Sequence, residues 1–165
     1  MSKNINIKIA QGNDDIITIE SLADEIWTQH YEPIIGIKQV DYMLGKYQSY
    51  KAILHQMAEG YAYYISKYDE VPCGYCSIKI DNGIFLSKFY VKQSHRGLGL
   101  GRAMIETIME YAATHKEKRI WLTCNKHNSN TLAAYKKLGF NIIDDVVTDI
   151  GNGFVMDDYV LEKRL

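Results

Sequence analysis

The sequence predicts an α/β or α+β domain built around one mixed β-sheet. Two observations predict this class. Some short segments alternate apolar with polar residues or are rich in aromatic and β-branched residues, which indicates strands, and segments with helical spacing of apolar residues separate them. Their order is strand, helices, three strands, helix, strand, helix and two strands. The 165 residues suit one domain, which we assign to residues 1–165.

The first third of the chain reads as one strand followed by helices. Apolar residues alternate with polar ones over residues 5–9, which predicts a strand. An amphipathic helix is predicted over residues 16–30, and Pro33 and Gly36 are expected to interrupt it. Two shorter helical segments follow, around residues 40–44 and over residues 51–59.

The middle of the chain predicts an antiparallel meander. Three segments rich in aromatic and β-branched residues are separated by the turn sequences Tyr68-Asp69-Glu70 and Asp81-Asn82-Gly83. Asn-Gly between two apolar runs is a strong hairpin signal. The three strands are predicted at residues 61–67, 71–80 and 84–91.

The last part of the chain alternates helices with strands after a glycine-rich segment. A long amphipathic helix is predicted over residues 102–115, with Met109 on its buried face. A polar loop at residues 125–130 precedes a short helix that Gly139 ends. The other predicted elements are a strand at 120–124, the short helix at 131–138, and a final pair of strands at 140–147 and 153–161.

Cys73 and Cys76 form a CxxC pair within the second strand of the meander. A spacing of three places two side chains on opposite faces of a strand. No second CxxC and no pair of histidines follows at the spacing of a zinc site. We therefore expect neither a redox role nor a metal for these residues. An odd total of three cysteines argues against a disulfide framework and favours a cytoplasmic protein.

The charge and hydropathy of the chain exclude several classes of partner. A formal net charge of -1 gives no broad attraction to nucleic acid or to an anionic membrane. No apolar run approaches the roughly 20 residues that span a bilayer. Residues 1–8 lack the unbroken apolar core of a signal peptide. We therefore expect a cytoplasmic protein without nucleic-acid or membrane partners.

The glycine-dense segment Arg96-Gly97-Leu98-Gly99-Leu100-Gly101 follows a strand and opens a helix. The first N–H groups of a helix lack internal partners, and the helix dipole favours negative charge there. The glycines permit unusual backbone dihedrals and the close approach of a ligand. Arg96 and Arg102 add positive charge at the two ends. The segment therefore predicts a phosphate or pyrophosphate site.

Two common nucleotide-binding motifs do not fit this segment. The Walker A pattern requires Lys and then Ser or Thr after the last glycine, whereas Arg102-Ala103 follow here. The dinucleotide pattern GxGxxG fails because counting from Gly97 places Arg102 at its sixth position. A βαβ unit at the start of the chain, the usual setting for a dinucleotide, is not predicted either.

The segment fits Q/R-x-x-G-x-G/A and resembles the coenzyme A pyrophosphate loop of the GNAT superfamily of N-acetyltransferases. Residues 125–140 resemble the second motif of that family through Asn128, Tyr135 and Phe140, although Thr131 replaces its usual alanine. The GNAT fold implied by this resemblance has a central mixed, mostly antiparallel sheet of about seven strands flanked by about four helices.

The resemblance implies that acetyl-coenzyme A is the cosubstrate and coenzyme A the product. The backbone of Phe89 and Val91, with Tyr90 between them, is expected to bind the pantetheine arm and polarise the thioester carbonyl. The N–H groups of residues 97–102 are expected to hold the pyrophosphate. The other expected cofactor contacts are Arg96, Gly97, Leu98, Gly99, Leu100, Gly101, Arg102, Asn128, Asn130 and Tyr135.

Tyr135 occupies the position where the family usually has a tyrosine beside the thioester sulfur, so we expect it to be the catalytic acid. Reference pKa values of roughly 10 for tyrosine and about 8.5 for a thiol are close enough for a proton to be shared. A packing role on the short helix is compatible with this function. No histidine stands at triad-like spacing from Cys124, so direct transfer is expected. The candidate bases are Glu25, His30, Tyr31, Asp157 and Asp158.

The acceptor amine is expected to bind between the first helices and the last strands, where branches of the family differ most. Residues 27–44 and 149–159 are similar to the bacterial branch related to PaiA, whose members acetylate polyamines such as spermidine. Carboxylates could attract such a polycation while aromatic rings hold its methylenes or its ammonium groups. The candidate substrate residues are Glu25, Trp27, Tyr31, Asp157 and Asp158.

Other functions remain open from the sequence alone. The acceptor could be another small amine, such as an antibiotic, or a protein N-terminus. The chain could also bind acetyl-coenzyme A without turnover, as a sensor or a structural subunit. The family resemblance further suggests a homodimer formed through the last strands.

Overall fold

A computed structural model describes residues 4–165 of the chain. One seven-stranded sheet runs through it in the order β1-β2-β3-β4-β5-β7-β6. The strands are β1 (Ile5–Ile9), β2 (Ala62–Tyr68), β3 (Val71–Ile80), β4 (Ile84–Val91), β5 (Arg119–Asn125), β6 (Asn141–Gly151) and β7 (Phe154–Arg164). The helices are α1 (Gly12–Ile35), α2 (Ile37–Tyr47), α3 (Tyr50–Ala58), α4 (Leu100–Thr114) and α5 (Ser129–Lys137). A short 3-10 turn spans Gln93–His95.

The sheet is antiparallel except between β4 and β5, which run parallel. That pairing contains only two pairs of residues, Ile84 with Ile120 and Phe85 with Trp121. Beyond Phe85 the two strands separate, so the carboxyl-terminal half of β4 has no strand on that side. This separation opens a cleft in the middle of the sheet, and it positions the candidate site.

Each face of the sheet carries its own hydrophobic core. On one face, α4 and α5 contribute buried residues such as Met104 and Leu132. On the other face, α1, α2 and α3 cover a second core that includes Ile19 and Val40. The alternation of side chains along a strand divides β4 between the two cores: Phe89 packs in the first and Tyr90 in the second.

The predicted fold class and the order of elements are confirmed, with five helices instead of about four. The expected interruption at Pro33 is wrong, because α1 continues through it to Ile35. Pro33 lies in the last turn, where its missing N–H costs a single helical bond. The helix ends at Gly36, which has a φ of 84°. Met109 was expected on the buried face of α4 but is 38% exposed.

The three cysteines are free and buried. Cys76 packs in the core beneath α4, and Cys73 lies three residues earlier on the same strand, with its thiol donating to the Ser66 carbonyl. Among residues 4–165, no group of three or more His, Cys, Asp or Glu side chains is arranged to hold a metal ion. None of the helices within these residues has both the length and the apolarity needed to cross a membrane.

Candidate active site

The cleft between the separated strands β4 and β5 has a volume of about 930 Å³, its open mouth included. It is bordered by the end of β4, the glycine-rich loop, the start of α4 and one side of α5. The residues that line the cleft include Phe89, Val91, Arg96, Gly97, Gly99, Gly101, Asn130 and Tyr135.

The end of β4 turns two backbone N–H groups toward this cleft. Lys92 N–H donates to the Cys73 carbonyl of β3 at 2.7 Å. In the antiparallel register Phe89 faces Cys76 and Val91 faces Gly74. Hydrogen-bonded pairs alternate with non-bonded ones, so the N–H and C=O groups of Phe89 and Val91 point away from β3. Consistent with this direction, the Val91 carbonyl accepts a hydrogen bond from Arg96 Nε at 3.3 Å.

The glycine-rich loop presents a row of free backbone N–H groups. Gly97 and Gly99 have φ values of 80° and 90°, a left-handed region that favours glycine. The first helical hydrogen bond of α4 runs from Ala103 N–H to the Gly99 carbonyl at 3.0 Å. Within the described part of the chain, no backbone acceptor serves the N–H groups of residues 97–102. The first turn of α4 carries no acidic residue, so its dipole remains available to an anion.

Gly101 differs from the other two glycines of the loop. It has a helical conformation, so the expectation of an unusual dihedral there is wrong. A Cβ atom at this position would lie 3.5 Å from Phe89 Cζ, which is ordinary contact. Gly101 nevertheless lines the cleft, and the missing side chain leaves space for a ligand beside the first turn of the helix.

The two arginines that flank the loop take different positions. Arg96 lines the cleft, next to His95. Arg102 and Leu98 instead border a separate surface groove beside β1, together with Glu106. Among the loop side chains, Arg96 therefore supplies the positive charge within the cleft.

Tyr135 stands where the cleft meets a second chamber, since it lines both. Its side chain is 7% exposed, and its ring centroid lies 5.6 Å from that of Phe89. Burial, reinforced by the nearby Cys124, raises the pKa of Tyr135 well above its usual value. The phenol is therefore neutral at physiological pH and retains a proton to donate.

The second chamber lies on the α1–α3 side of the opening. Trp27, Tyr31, Cys124 and Asp158 line it together with Tyr135. It adjoins a third cavity bounded by α2 and α3, which shares Trp27 and Asp158 with it. The shared lining residues show that the three cavities adjoin one another, with Tyr135 between the cleft and the second chamber.

Asp158 is a buried carboxylate that lines the second chamber and the third cavity. Its side chain is 3% exposed, and its Oδ1 atom has no hydrogen-bond partner among residues 4–165. Burial raises the pKa of Asp158 to about 6, while the Thr123 hydroxyl opposes that rise. Such a carboxylate is ionised at neutral pH, yet it binds a proton far more readily than an exposed aspartate.

His30, Tyr31 and Asn128 form a small network at the border between the cleft and the chamber. Asn128 is 1% exposed. Its Oδ1 lies 3.0 Å from His30 Nε2, and its Nδ2 donates to the Tyr31 hydroxyl at 3.4 Å. Burial lowers the pKa of His30, which favours its neutral form.

Comparison with known proteins decides the family. The family described as "Acetyltransferase (GNAT) family" matches residues 19–140, well over half of the chain. The chain belongs to this family. The cosubstrate of GNAT acetyltransferases is acetyl-coenzyme A.

Solved structures of acetyltransferases share the fold of this chain. The PaiA N-acetyltransferase from Thermoplasma acidophilum, solved in complex with coenzyme A, has a TM-score of 0.83 at 20% identity, covering 98% of this chain and 99% of that chain. A GCN5-related N-acetyltransferase from Rhodopseudomonas palustris has a TM-score of 0.81 at 14% identity, covering 97% of this chain and 95% of that chain.

Curated relatives match shorter stretches of this chain. The 5-NmdU N-acetyltransferase of Pseudomonas phage PaMx11 is 44% identical over 52 residues, which are 32% of this chain and 35% of that protein. The spermine/spermidine N(1)-acetyltransferase of Bacillus subtilis is 29% identical over 58 residues, 34% of this chain and 38% of that protein. The chain thus spans little more than a third of the length of these two relatives.

Several site residues expected from the sequence lie outside this site. Glu25 pairs with Lys92 at 3.4 Å and lines neither the cleft nor the two cavities behind it. Asp157 pairs with Lys126 at 3.1 Å and is likewise outside them. Asn128 lies behind the wall of the cleft, because His30 and Tyr31 engage its amide. Asn130, Trp27, Tyr31 and Asp158 do line the cleft or the chamber behind it.

The sequence analysis missed Lys88 in the third cavity. Lys88 lies on β4 among apolar residues, and its side chain is 5% exposed. One feature of the sequence could have indicated it: Lys88 lies within a strand at the centre of the sheet, and lysine side chains are rarely buried there.

Proposed function

We propose that this protein transfers the acetyl group of acetyl-coenzyme A to a primary amine by direct attack. The observation that carries the proposal is the convergence of three features on one opening in the sheet. These are the free N–H groups of the glycine-rich loop, the outward N–H groups of Phe89 and Val91, and the neutral phenol of Tyr135. The buried carboxylate of Asp158 faces them from the acceptor side.

The proposed cosubstrate fits the charge and shape of the cleft. The N–H groups of residues 97–102, with the guanidinium of Arg96, suit a diphosphate. From there the open edge of β4 leads to Tyr135, so a thiol arm can pair with the free backbone groups of Phe89 and Val91. Asn130 at the rim adds a polar side chain. Asn128 contributes to the cofactor site indirectly, because its amide forms hydrogen bonds with His30 and Tyr31, which line the cleft.

The chemistry of the transfer assigns a role to each of these groups. The neutral amine attacks the thioester carbonyl carbon, and negative charge develops on the carbonyl oxygen. A fixed backbone N–H donor of Phe89 or Val91 stabilises that charge, typically by about 3 kcal/mol. The C–S bond then breaks, and the sulfur takes a proton from Tyr135. Asp158 accepts the proton that the amine loses, directly or through water.

Tyr135 can still donate its proton to the sulfur, although burial raises the pKa of its phenol. Burial raises the pKa of the neighbouring Cys124 thiol as well, to about 12. A coenzyme A sulfur released in the same surroundings experiences the same penalty on its charged form. Burial therefore raises the proton affinity of both the phenol and the released sulfur, so a proton can still pass from Tyr135 to the sulfur.

The class of amine is the finer part of the proposal. A polyamine is the first class to test, because relatives named spermine/spermidine and spermine N(1)-acetyltransferase match the chain. Asp158 and the aromatic rings of Trp27 and Tyr31 line the chamber that such an acceptor would enter. The buried Lys88 of the third cavity, in contrast, opposes a polycation and favours another small amine.

A thiol-release assay with a panel of amines tests the activity. We expect coenzyme A to appear only when an amine is present, together with one equivalent of the N-acetyl product. Binding of acetyl-coenzyme A without release by any amine would instead favour a sensor or structural subunit. Asp145→Asn, at an exposed ion pair with Lys126, serves as a control variant with unchanged turnover.

Assembly and location extend the proposal. We propose a homodimer through the last strands, supported by edge strand β6, which exposes Ile142, Ile143 and Val147. We also propose one domain over residues 1–165 and a cytoplasmic location, the latter supported by the free thiols. Sedimentation of the purified protein tests the dimer, which a concentration-independent monomer mass would contradict.

A further inference from the structure

Lys88 places a buried positive charge in the third cavity, on the acceptor side of the sheet. Its Nζ donates to three neutral oxygens: the Tyr47 carbonyl at 2.5 Å, Gln56 Oε1 at 2.9 Å and the Tyr63 hydroxyl at 2.5 Å. No carboxylate forms an ion pair with it anywhere in residues 4–165. Burial lowers the pKa of Lys88 to about 7, so about half of these amines are charged at neutral pH, and an anionic partner would favour the charged form.

Asp158 contributes a buried carboxylate to the lining of the same cavity. Asp158 lines both the third cavity and the chamber beside Tyr135, whereas Lys88 lines the third cavity alone. The two charged groups form no ion pair with each other. Lys126 is the cation whose charge lowers the pKa of Asp158, and it already forms ion pairs with Asp145 and Asp157.

The third cavity is therefore lined by two buried groups of opposite charge, and neither has an ion-pair partner within residues 4–165. An isolated buried charge is unfavourable, and a partner of opposite sign removes much of the penalty. A ligand that carries both signs would neutralise both groups at once. A polycation would satisfy Asp158 but would bring a second positive charge toward Lys88.

We infer that the acceptor is a primary amine that also carries an anionic group, such as a carboxylate or a phosphate. Its amine lies beside Asp158, next to Tyr135 and the thioester, and its anionic group lies toward Lys88. This inference rests on the proposed acetyl transfer, and it names the class of acceptor for that site. Lys46 and Glu59, both exposed, also line this cavity, and their opposite charges offset each other.

Lys88 also has a structural role, which the test must separate from specificity. The Tyr47 carbonyl that it contacts lies at the carboxyl-terminal end of α2, where a positive charge is favourable. Lys163 offers a matched control, because its Nζ donates to the Leu138 carbonyl at the end of α5 at 2.8 Å. Lys163 lies outside the cleft, the chamber and the third cavity.

The experiment compares acceptors that differ only in the group at their far end. Butylamine, 1,4-diaminobutane, 4-aminobutyrate and 3-aminopropyl phosphate are assayed for coenzyme A release with the wild type, Lys88→Met and Lys163→Met. Homologues with shorter and longer chains exclude an effect of length. The ratio of kcat/KM for two acceptors on one sample is independent of the fraction of protein that is folded, so partial misfolding of a variant does not affect it.

For the wild type we expect kcat/KM for an anionic acceptor to exceed that for the diamine of matching length by about tenfold or more. Lys88→Met should remove this preference, whereas Lys163→Met should retain it. A wild type that prefers diamines, or a Lys88→Met variant with unchanged preference, would overturn the inference and leave acetyl transfer standing. Failure of every amine, butylamine included, would overturn the proposed function itself.

Discussion

Replacing Asp158 with asparagine should make the protein more stable and less active. The substitution keeps the shape of the side chain and removes its charge. In the folded state burial raises the pKa of this carboxyl from 3.8 to about 6. The unfolded chain binds the proton less tightly, so the folded protein loses stability as the pH rises through that range. The asparagine variant does not pay this cost.

The magnitude follows from the change in pKa. A rise from 3.8 to about 6 corresponds to about 3 kcal/mol of lost stability once the carboxylate is ionised. The asparagine amide would itself be buried without a full set of hydrogen-bond partners, which lowers the gain in the free energy of unfolding by about 1 kcal/mol. We therefore expect Asp158→Asn to gain about 2 kcal/mol at about pH 8, or about 4–8 °C in the melting temperature.

Thermal or denaturant unfolding of both proteins at about pH 4, 6 and 8 measures the effect. The stability difference should be smallest at about pH 4, where the folded carboxyl is protonated and the unfolded one is about half protonated, and it should reach its full size above about pH 7. Asp145→Asn, whose side chain is 62% exposed, is the matched control and should show no such gain. A variant that is less stable than the wild type at every pH would refute the argument that Asp158 is buried without a counter-charge.

Activity should respond to the same carboxyl and to the other groups of the site. The kcat/KM of the wild type should fall below about pH 6 as Asp158 is protonated, and the asparagine variant should lose that limb. Tyr135→Phe should lower turnover about 100-fold and leave the Kd of acetyl-coenzyme A unchanged by calorimetry. Gly99→Val, at a φ of 90°, should abolish cofactor binding, whereas Gly101→Ala should keep or raise helix stability and still weaken binding about tenfold. Arg96→Met should weaken cofactor binding about tenfold in low salt, and Arg102→Met should change it less than twofold. Wild-type affinity in Gly99→Val, or full turnover in Tyr135→Phe, would contradict these roles.

The features that the sequence predicts well are local ones. The strand, glycine turn and helix around residues 91–101 occur in one stretch of chain, so their geometry follows from backbone preferences and from the free N–H groups of a helix start. Tyr135 and Gly139 lie in a second short motif: Tyr135 is on the predicted short helix, and Gly139 follows the helix end with a positive φ of 97°. The turn at Asn82-Gly83 likewise takes positive φ at both residues.

The features that the sequence does not predict depend on contacts between distant segments. Lys88 on β4 donates hydrogen bonds to Gln56 on α3 and to Tyr63 on β2, and only the folded chain brings these three elements together. Asn128 reaches His30 across 98 positions of the chain, which removes it from the surface of the cleft. Asp157 and Asp158 were equal candidates in sequence, but alternation along β7 buries one and leaves the other paired with Lys126.

Amide NMR of the protein during a titration with coenzyme A tests the central claim most directly. The claim is that the N–H groups of residues 97–102 hold the diphosphate while the thiol arm lies along the open edge of β4. Coenzyme A should cause the largest chemical-shift changes at the amides of Gly97, Gly99 and Gly101, with smaller changes at Phe89 and Val91. Saturating shifts confined to other parts of the chain, with these five amides unmoved, would contradict it.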